Sequence, residues 1–144
     1  MMDTPLYEHK IQYYETDQMK IVHHSNYIRW FEEARVFWLE AIGCGYDKLE
    51  ALGIISPVLG VTAEYKSMSR FAETVQIETA LTSYNGVKFA ISYVIKDKET
   101  GVVRCIGESR HCFLNEGGTP MSLKRSYPEI HEIFEDMKRK SGII

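Results

Sequence analysis

The 144-residue sequence predicts an α+β fold in which an antiparallel β-sheet wraps around one long helix. Between Asn26 and Ile42 the apolar residues recur at steps of three and four, which is the spacing of a buried helix. From Val58 to Leu114 apolar residues alternate with polar ones, as in β-strands. One long helix followed by consecutive strands is typical of a single domain, which we expect to span residues 1–144.

At the N-terminus, alternating residues predict a first strand over residues 6–15. In the helix that follows, large aromatic residues lie on more than one side, namely Trp30, Phe31, Phe37 and Trp38. Because one curved sheet covers only part of a helix, we expect some of this surface to face a second subunit. Glu32, Glu33 and Glu40 are expected to form the solvated edge of the helix.

The remaining strands are expected over residues 58–66, 74–84, 87–96 and 102–114. Asn85-Gly86 is a strong signal for a hairpin between the second and third of these. A second helix is expected to be capped by Ser126, to carry Pro128 in its first turn and to end near Lys140.

Composition excludes several classes of protein. The net charge is −3 and the 17 basic residues are scattered, which argues against a nucleic-acid partner. The N-terminus lacks the basic start of a secretory signal, and the longest apolar stretch is interrupted by Ser56-Pro57, so we expect a cytoplasmic protein without membrane insertion. The three cysteines are odd in number and widely spaced, as for reduced, buried thiols: Cys44, Cys105 and Cys112.

The segment from Tyr13 to Tyr27 carries the residues best suited to hydrolytic chemistry. It delivers the carboxylate of Asp17 and, seven positions later, His24 to the start of the long helix, where Ser25 and Asn26 could cap the free N–H groups. A helix start carries partial positive charge and stabilises a developing oxyanion. From position alone, Asp17 could equally well cap a turn.

The same segment, E-T-D-x-x-x-I-V-H-H-S-N-Y-x-x-W-F-E-x-A-R, resembles the opening of hotdog-fold acyl-CoA thioesterases of the 4-hydroxybenzoyl-CoA thioesterase and YbgC-like group. The match is dense from Tyr13 to Arg35 and looser elsewhere. The resemblance implies a hotdog fold, hydrolysis of an acyl-CoA to a free acid and CoA, and a homodimer or tetramer with sites between subunits.

The resemblance also implies roles for individual residues. Asp17 matches the catalytic carboxylate, which attacks the thioester carbonyl or deprotonates the attacking water. The imidazole of His24 could orient Asp17 or the acyl group, or its backbone N–H could polarise the thioester oxygen. His23 is expected to point away from His24 and to be structural.

The expected substrate contacts include residues outside this segment. They are Tyr13, Ser25, Asn26, Tyr27, Glu64, Tyr65, Lys66, Arg70 and Lys88, of which Lys66, Arg70 and Lys88 are candidates for the CoA phosphates. The chain departs from the family pattern at Lys20, where relatives carry Gly, and at Met68 and Ser69, where they carry Pro and Ala. The aromatic residues could line an aryl pocket or belong to the core, so the sequence does not determine which acyl group is bound.

Asp17, His23 and His24 could also be considered as ligands of a metal ion. However, adjacent histidines do not lie on one face of a helix, as a pair spaced i, i+4 does. We therefore expect no metal and no cofactor. A hotdog dehydratase would need an Asp-x-Asn-x-x-His spacing that is absent. The principal alternative is a non-catalytic module that binds acyl-CoA or an acyl carrier protein.

Overall fold

The computed structural model of the protein describes residues 6–142 and contains a five-stranded antiparallel sheet. The strands are β1 (Tyr7–Lys10), β2 (Val58–Tyr65), β3 (Thr74–Tyr84), β4 (Lys88–Asp97) and β5 (Val103–Cys112). Their order in the sheet is β1-β3-β4-β5-β2, so that β1 and β2 form the edges. The helices are α1 (Ser25–Ala41), α2 (Tyr46–Ala51), α3 (Leu123–Ser126) and α4 (Pro128–Lys140). Residues 1–5, on which the expectation of no secretory signal rests, lie outside the described residues.

The core lies between α1 and the sheet. Phe31 on α1 stacks on Tyr93 of β4, with ring centroids 4.5 Å apart. A Cβ atom on Gly107 of β5 would lie 2.6 Å from the Phe31 ring, so only glycine allows the helix to approach this closely. Trp30, Phe31 and Trp38 are at most 1% exposed. The expectation that Trp30, Phe31 and Trp38 face a second subunit is therefore wrong, because they pack within the chain, as Trp38 does against Phe134 of α4. Phe37 is half-buried.

The first strand is shorter than predicted. It ends at Lys10, and residues Tyr13–Glu15 form a 3-10 turn. The Glu15 carboxylate caps this turn, since it accepts a hydrogen bond from the Gln12 backbone N–H at 2.8 Å. Tyr13 is consequently 76% exposed rather than part of a strand face.

The predicted α1, β2, β3, β4 and β5 are confirmed to within two residues at each boundary. At the hairpin between β3 and β4, the Asn85 side chain accepts from the N–H groups of Val87 and Lys88, and Gly86 adopts a φ of +94°. The C-terminal helix differs: Ser126 ends the short α3 and does not cap α4. Pro128 does stand in the first turn of α4.

Candidate active site

Asp17 lies in a tight turn whose two sides are joined by a bridge between Thr16 and Val22. Its backbone N–H donates to the Ile21 carbonyl at 2.9 Å, and its Oδ1 accepts from the Met19 N–H at 2.8 Å. Within the described part of the chain, Oδ2 has no hydrogen-bond partner. The carboxylate therefore caps the turn with one oxygen and keeps the other available for chemistry.

Lys20 closes this turn by donating its N–H to the Asp17 carbonyl at 2.9 Å. Its φ of +66° lies in the left-handed region, which side chains other than glycine adopt at a cost of about 1 kcal/mol. Glycine adopts this conformation without that cost. The lysine side chain is exposed.

The start of α1 is capped differently from the expectation. His24 is the N-cap residue, and its side chain accepts no capping hydrogen bond. Instead Nδ1 of His23 accepts from the Ser25 N–H at 3.2 Å and lies 2.9 Å from the Ser25 hydroxyl. The rings of His23 and His24 stack with centroids 4.3 Å apart, so the expectation that His23 points away is also wrong.

One backbone N–H remains free at this helix start. The Ser25 N–H bonds His23 Nδ1, the Asn26 N–H bonds the His23 carbonyl, and the Tyr27 N–H bonds the His24 carbonyl. The His24 N–H has no acceptor within the described residues. It is the donor that this end of the helix can offer to a bound oxygen.

A cleft of about 640 Å³ begins beside the Asp17 turn. Its walls come from the end of the turn, the start of α1 and the end of β2, and they consist of Ile21, Val22, His24, Tyr27, Tyr65, Lys66, Ser67 and Met68. The rings of Tyr27 and Tyr65 are 5.4 Å apart, and those of His24 and Tyr65 are 6.0 Å apart. Four of the predicted site residues therefore share one largely apolar cavity: His24, Tyr27, Tyr65 and Lys66.

The departure at Ser69 has a structural role. The side chain is fully buried, and its Oγ accepts from the Tyr27 hydroxyl at 3.2 Å. Burial raises the pKa of Tyr27, so this hydroxyl remains a donor. The Ser69 carbonyl also accepts from the Val22 N–H at 2.9 Å. A serine in place of the family's alanine thus fixes Tyr27 in the cleft wall.

Other predicted contacts lie outside the cleft. Tyr13 packs edge-on against Phe71, with ring centroids 5.6 Å apart, and Arg70 is exposed. Glu64 is exposed and lies 3.6 Å from the Lys66 ammonium. Asn26 is buried and donates from Nδ2 to the Glu15 carbonyl at 2.9 Å, so it faces the protein interior.

Lys88 lines a second, smaller pocket of about 280 Å³ at the hairpin end of the sheet. Arg110 of β5 also lines this pocket, and neither cation has a charged partner among the described residues. The Arg110 guanidinium lies over Gly60 of β2, in space that a Cβ atom would occupy. Among residues 6–142 no carboxylate lines the pocket, so these two cations have no charged partner there.

Sequence reasoning missed Arg110 and Glu15. In the sequence, an arginine on an alternating strand cannot be told from any other solvated charge. Only the strand register, which pairs Arg110 with Gly60, shows that its guanidinium lies in a pocket. Glu15 is 4% exposed and bonds His9 at 2.8 Å and Trp30 at 2.9 Å. Glu33, expected at the solvated edge of the helix, is half-buried and accepts from the Tyr7 hydroxyl at 2.8 Å.

Between residues 6 and 142, no group of three histidine, cysteine or carboxylate side chains is arranged to hold a metal ion. No helix in that range is long and apolar enough to cross a membrane. All three cysteines are free and buried, as predicted.

Comparison with known proteins agrees with this geometry. A family model described as the thioesterase-like superfamily matches residues 11–139. YneP of Bacillus subtilis, an acyl-CoA thioesterase by name, is 32% identical over 133 residues, covering 92% of this chain and 96% of its own. YbgC of Escherichia coli, named acyl-CoA thioester hydrolase, is 29% identical over 68% of this chain and 75% of its own. The crystal structure of a DHNA-CoA thioesterase from Staphylococcus aureus superposes with a TM-score of 0.88 at 30% identity, covering 96% of this chain and 95% of that one.

The match spans α1, strands β2 to β5 and most of α4, so it covers every element that builds the cleft. The chain therefore belongs to the thioesterase-like superfamily, a family of thioester hydrolases built on the hotdog fold.

Proposed function

We propose that this chain hydrolyses an acyl-CoA thioester, with Asp17 as the catalytic carboxylate. The observation that carries the proposal is the free Oδ2 of Asp17 in a turn that leads directly into the wall of the cleft through Ile21 and Val22. That oxygen attacks the thioester carbonyl or takes a proton from the attacking water. A thiolate is a good leaving group, so little acid assistance is needed for its departure.

The free N–H of His24 is the proposed donor to the thioester oxygen. It stands at the N-terminus of the 17-residue helix α1, where the partial positive charge of the helix adds to the hydrogen bond. Since the Ser25, Asn26 and Tyr27 N–H groups are already bonded, the oxyanion role rests on this one group.

The acyl group is proposed to occupy the cleft of about 640 Å³. Tyr27 and Tyr65 both line the cleft with their rings 5.4 Å apart, and aromatic walls suit a flat aromatic acyl group through offset or edge-on ring contacts. DHNA-CoA, named for the relative from Staphylococcus aureus, is therefore a first substrate to test. A panel that also contains short and long aliphatic CoA thioesters decides the preference.

The CoA nucleotide is proposed to contact Lys88 and Arg110. Their pocket lacks a carboxylate, and both charges are unpaired among the described residues, so phosphate oxygens would be their natural partners. Lys66, which lines the cleft itself, can meet the phosphates or the pantetheine arm instead.

The test of the catalytic role is Asp17→Asn, which keeps the shape and removes the charge. Asparagine still accepts from the Met19 N–H, so the turn should persist. We expect kcat on the best acyl-CoA to fall by at least about a hundredfold with the circular dichroism spectrum unchanged. An Asp17→Asn enzyme that is folded and fully active would falsify the role of Asp17.

The alternative function is a non-catalytic module that binds acyl-CoA or an acyl carrier protein. Lys20 in the Asp17 turn and Met68 in the cleft wall favour it, because both depart from the family motif. The substrate panel separates the two functions. A module binds the thioesters without turning any of them over, whereas the proposed enzyme releases free CoA.

We also propose that hydrolysis uses no metal ion or redox cofactor, since a carboxylate and an N–H donor suffice for a thioester. Exhaustive chelation of the purified protein should leave kcat unchanged. A stoichiometric metal ion whose removal abolishes turnover and whose return restores it would overturn this mechanism.

A further inference from the structure

We propose that Glu15 is a positioning residue for catalysis, which holds the Asp17 turn against β1 and α1. The inference builds on the proposed function, because it assigns Glu15 an effect that acts through Asp17. Glu15 lies two residues before Asp17 and does not line the cleft. It would therefore act on the geometry of the site and leave substrate contacts alone.

The backbone carbonyl of Glu15 closes the base of the turn. It accepts from the His23 N–H at 2.9 Å and from Asn26 Nδ2 at 2.9 Å. The chain therefore leaves Glu15, passes through Asp17 and the cleft wall, and returns to the same carbonyl just before His24. A shift of Glu15 would move the carboxylate and the proposed oxyanion donor relative to each other.

The side chain of Glu15 fixes that carbonyl in space. Its Oε1 accepts from the Gln12 N–H at 2.8 Å and lies 2.8 Å from His9 Nε2, and its Oε2 accepts from Trp30 Nε1 at 2.9 Å. These donors belong to the 3-10 turn, to β1 and to α1. Burial alone would raise the pKa of Glu15, but the three hydrogen bonds bring it below its ordinary value.

His9 also connects the Glu15 carboxylate to a second one, that of Glu33. Its Nδ1 lies 3.2 Å from Glu33 Oε1, and its ring packs on Trp30 with centroids 4.7 Å apart. Both ring nitrogens of His9 therefore face carboxylate oxygens, one of Glu15 and one of Glu33. This arrangement joins β1 to α1 on either side of the ring.

Glu15→Gln tests the proposal with almost no change in shape. An amide has one oxygen, so its NH₂ group must face either the Gln12 N–H or the Trp30 N–H, and one hydrogen bond becomes a contact between two donors. We expect kcat to fall by at least about tenfold while KM changes by less than about twofold. The measurement is made at a temperature where circular dichroism shows a fully folded variant.

A double-mutant cycle separates positioning from a general structural effect. If Glu15 acts through Asp17, Glu15→Gln should cause no further loss of kcat in the Asp17→Asn background. If the fold-losses of kcat caused by the two single substitutions multiply in the double variant, the proposal is contradicted. Tyr127→Phe is the matched control, since it removes a hydrogen bond to the Leu52 carbonyl away from the cleft and should leave kcat unchanged.

The outcomes also distinguish this inference from the function on which it rests. A folded Glu15→Gln enzyme with full kcat, beside an inactive Asp17→Asn enzyme, overturns the positioning role alone. Full activity in Asp17→Asn overturns the proposed mechanism and this inference with it. If Glu15→Gln does not fold, Asn26→Ala removes one of the two bonds to the Glu15 carbonyl, and the same fall in kcat at constant KM is required of it.

Discussion

Arg35 brings a guanidinium group into the core without a carboxylate beside it among the described residues. It is 6% exposed and donates to the hydroxyls of Tyr93 and Tyr46, each at 3.3 Å. The Tyr93 hydroxyl lies 2.6 Å from Ser109 Oγ, which lies 2.7 Å from His111 Nε2. A continuous chain of hydrogen bonds therefore links a buried charge on α1 to a histidine at the end of β5.

Arginine can only donate, so the Tyr93 hydroxyl accepts from Arg35. His111 lies at the other end of the chain, with Nε2 against the Ser109 hydroxyl. Burial and the positive charge of Arg35 both oppose a second proton and lower the pKa of His111 to about 4.

This lowered pKa predicts a loss of stability in mild acid. The unfolded chain takes up a proton on His111 as the pH falls below its ordinary value of 6.5, whereas the folded chain resists until about pH 4. Between pH 6.5 and 4.5 the free energy of unfolding should fall by about 2 kcal/mol through this residue. Glu15, whose folded pKa is lowered from 4.5, loses its contribution mainly below that window.

Urea unfolding of wild type and His111→Gln at both pH values checks the prediction. The glutamine oxygen can accept from Ser109 but does not titrate, so the variant should lack most of the decline. The same decline in both proteins would show that another group is responsible.

At the scale of elements, four strands, β2 to β5, together build the Lys88 and Arg110 pocket. The register of β4 with β5 places Lys88 opposite Cys112 and Ala90 opposite Arg110, so two cations separated by 22 positions in sequence come to one end of the sheet. On the other side of β5, Gly60 of β2 provides the space for the guanidinium. Neither cation could be assigned to a shared pocket without this register.

Arg110→Gln should weaken the binding of CoA thioesters without slowing chemistry. We expect KM for acyl-CoA to rise about fivefold, the equivalent of about 1 kcal/mol for a partly exposed charged contact, with kcat unchanged. The corresponding N-acetylcysteamine thioester lacks the nucleotide, so its KM should not change. Lys138→Gln on α4 removes a charge elsewhere and controls for the net charge. An equal rise in KM for both thioesters would place the effect of Arg110 in the acyl cleft.

Strand β2 presents an edge with which no strand of residues 6–142 pairs. The Lys66 N–H bonds the Arg104 carbonyl of the neighbouring strand, and because antiparallel pairs alternate, the N–H and C=O groups of Val61, Ala63 and Tyr65 point away from β5. Val61 is 39% and Tyr65 47% exposed. A long apolar edge of this kind pairs with another chain if nothing covers it.

For the whole molecule, the exposed edge of β2 favours assembly into an oligomer, whereas the buried aromatic residues of α1 do not. Ile28 on α1 is 39% exposed, while Trp30 and Trp38 are completely buried. On β2 the exposed apolar surface reaches the cleft, because Tyr65 also lines the cleft. We propose that a second copy of the chain covers this surface.

The protein should therefore sediment as a dimer or tetramer of its 16.7 kDa chain. Val61→Lys places a charge on the proposed contact and should shift sedimentation towards the monomer, with a loss of activity because the cleft borders the same edge. Thr62→Lys is the matched control, since neighbouring strand residues point to opposite faces. An active monomer at all working concentrations would rule out both the assembly and the shared site.

Much of this protein could be predicted from local pattern. The helical spacing of α1, the alternation of β3 to β5 and the turn at Asn85-Gly86 depend on residues close together in the chain, and all three are confirmed. The family was likewise recognisable, because its motif lies within one short segment around Asp17. The end of β1 was not predictable by alternation, since the buried carboxylate of Glu15 turns the chain out of the strand.

What the sequence determined by itself were the periodic elements, the family and the carboxylate in its turn. Only the tertiary structure decided that His24 supplies the one free N–H of the helix start, that Arg110 joins Lys88, and that the helix aromatics are buried within the chain. Each of these depends on groups that are distant in sequence or on which donors are already satisfied. Local spacing carries no information about either, because both follow from packing and strand register.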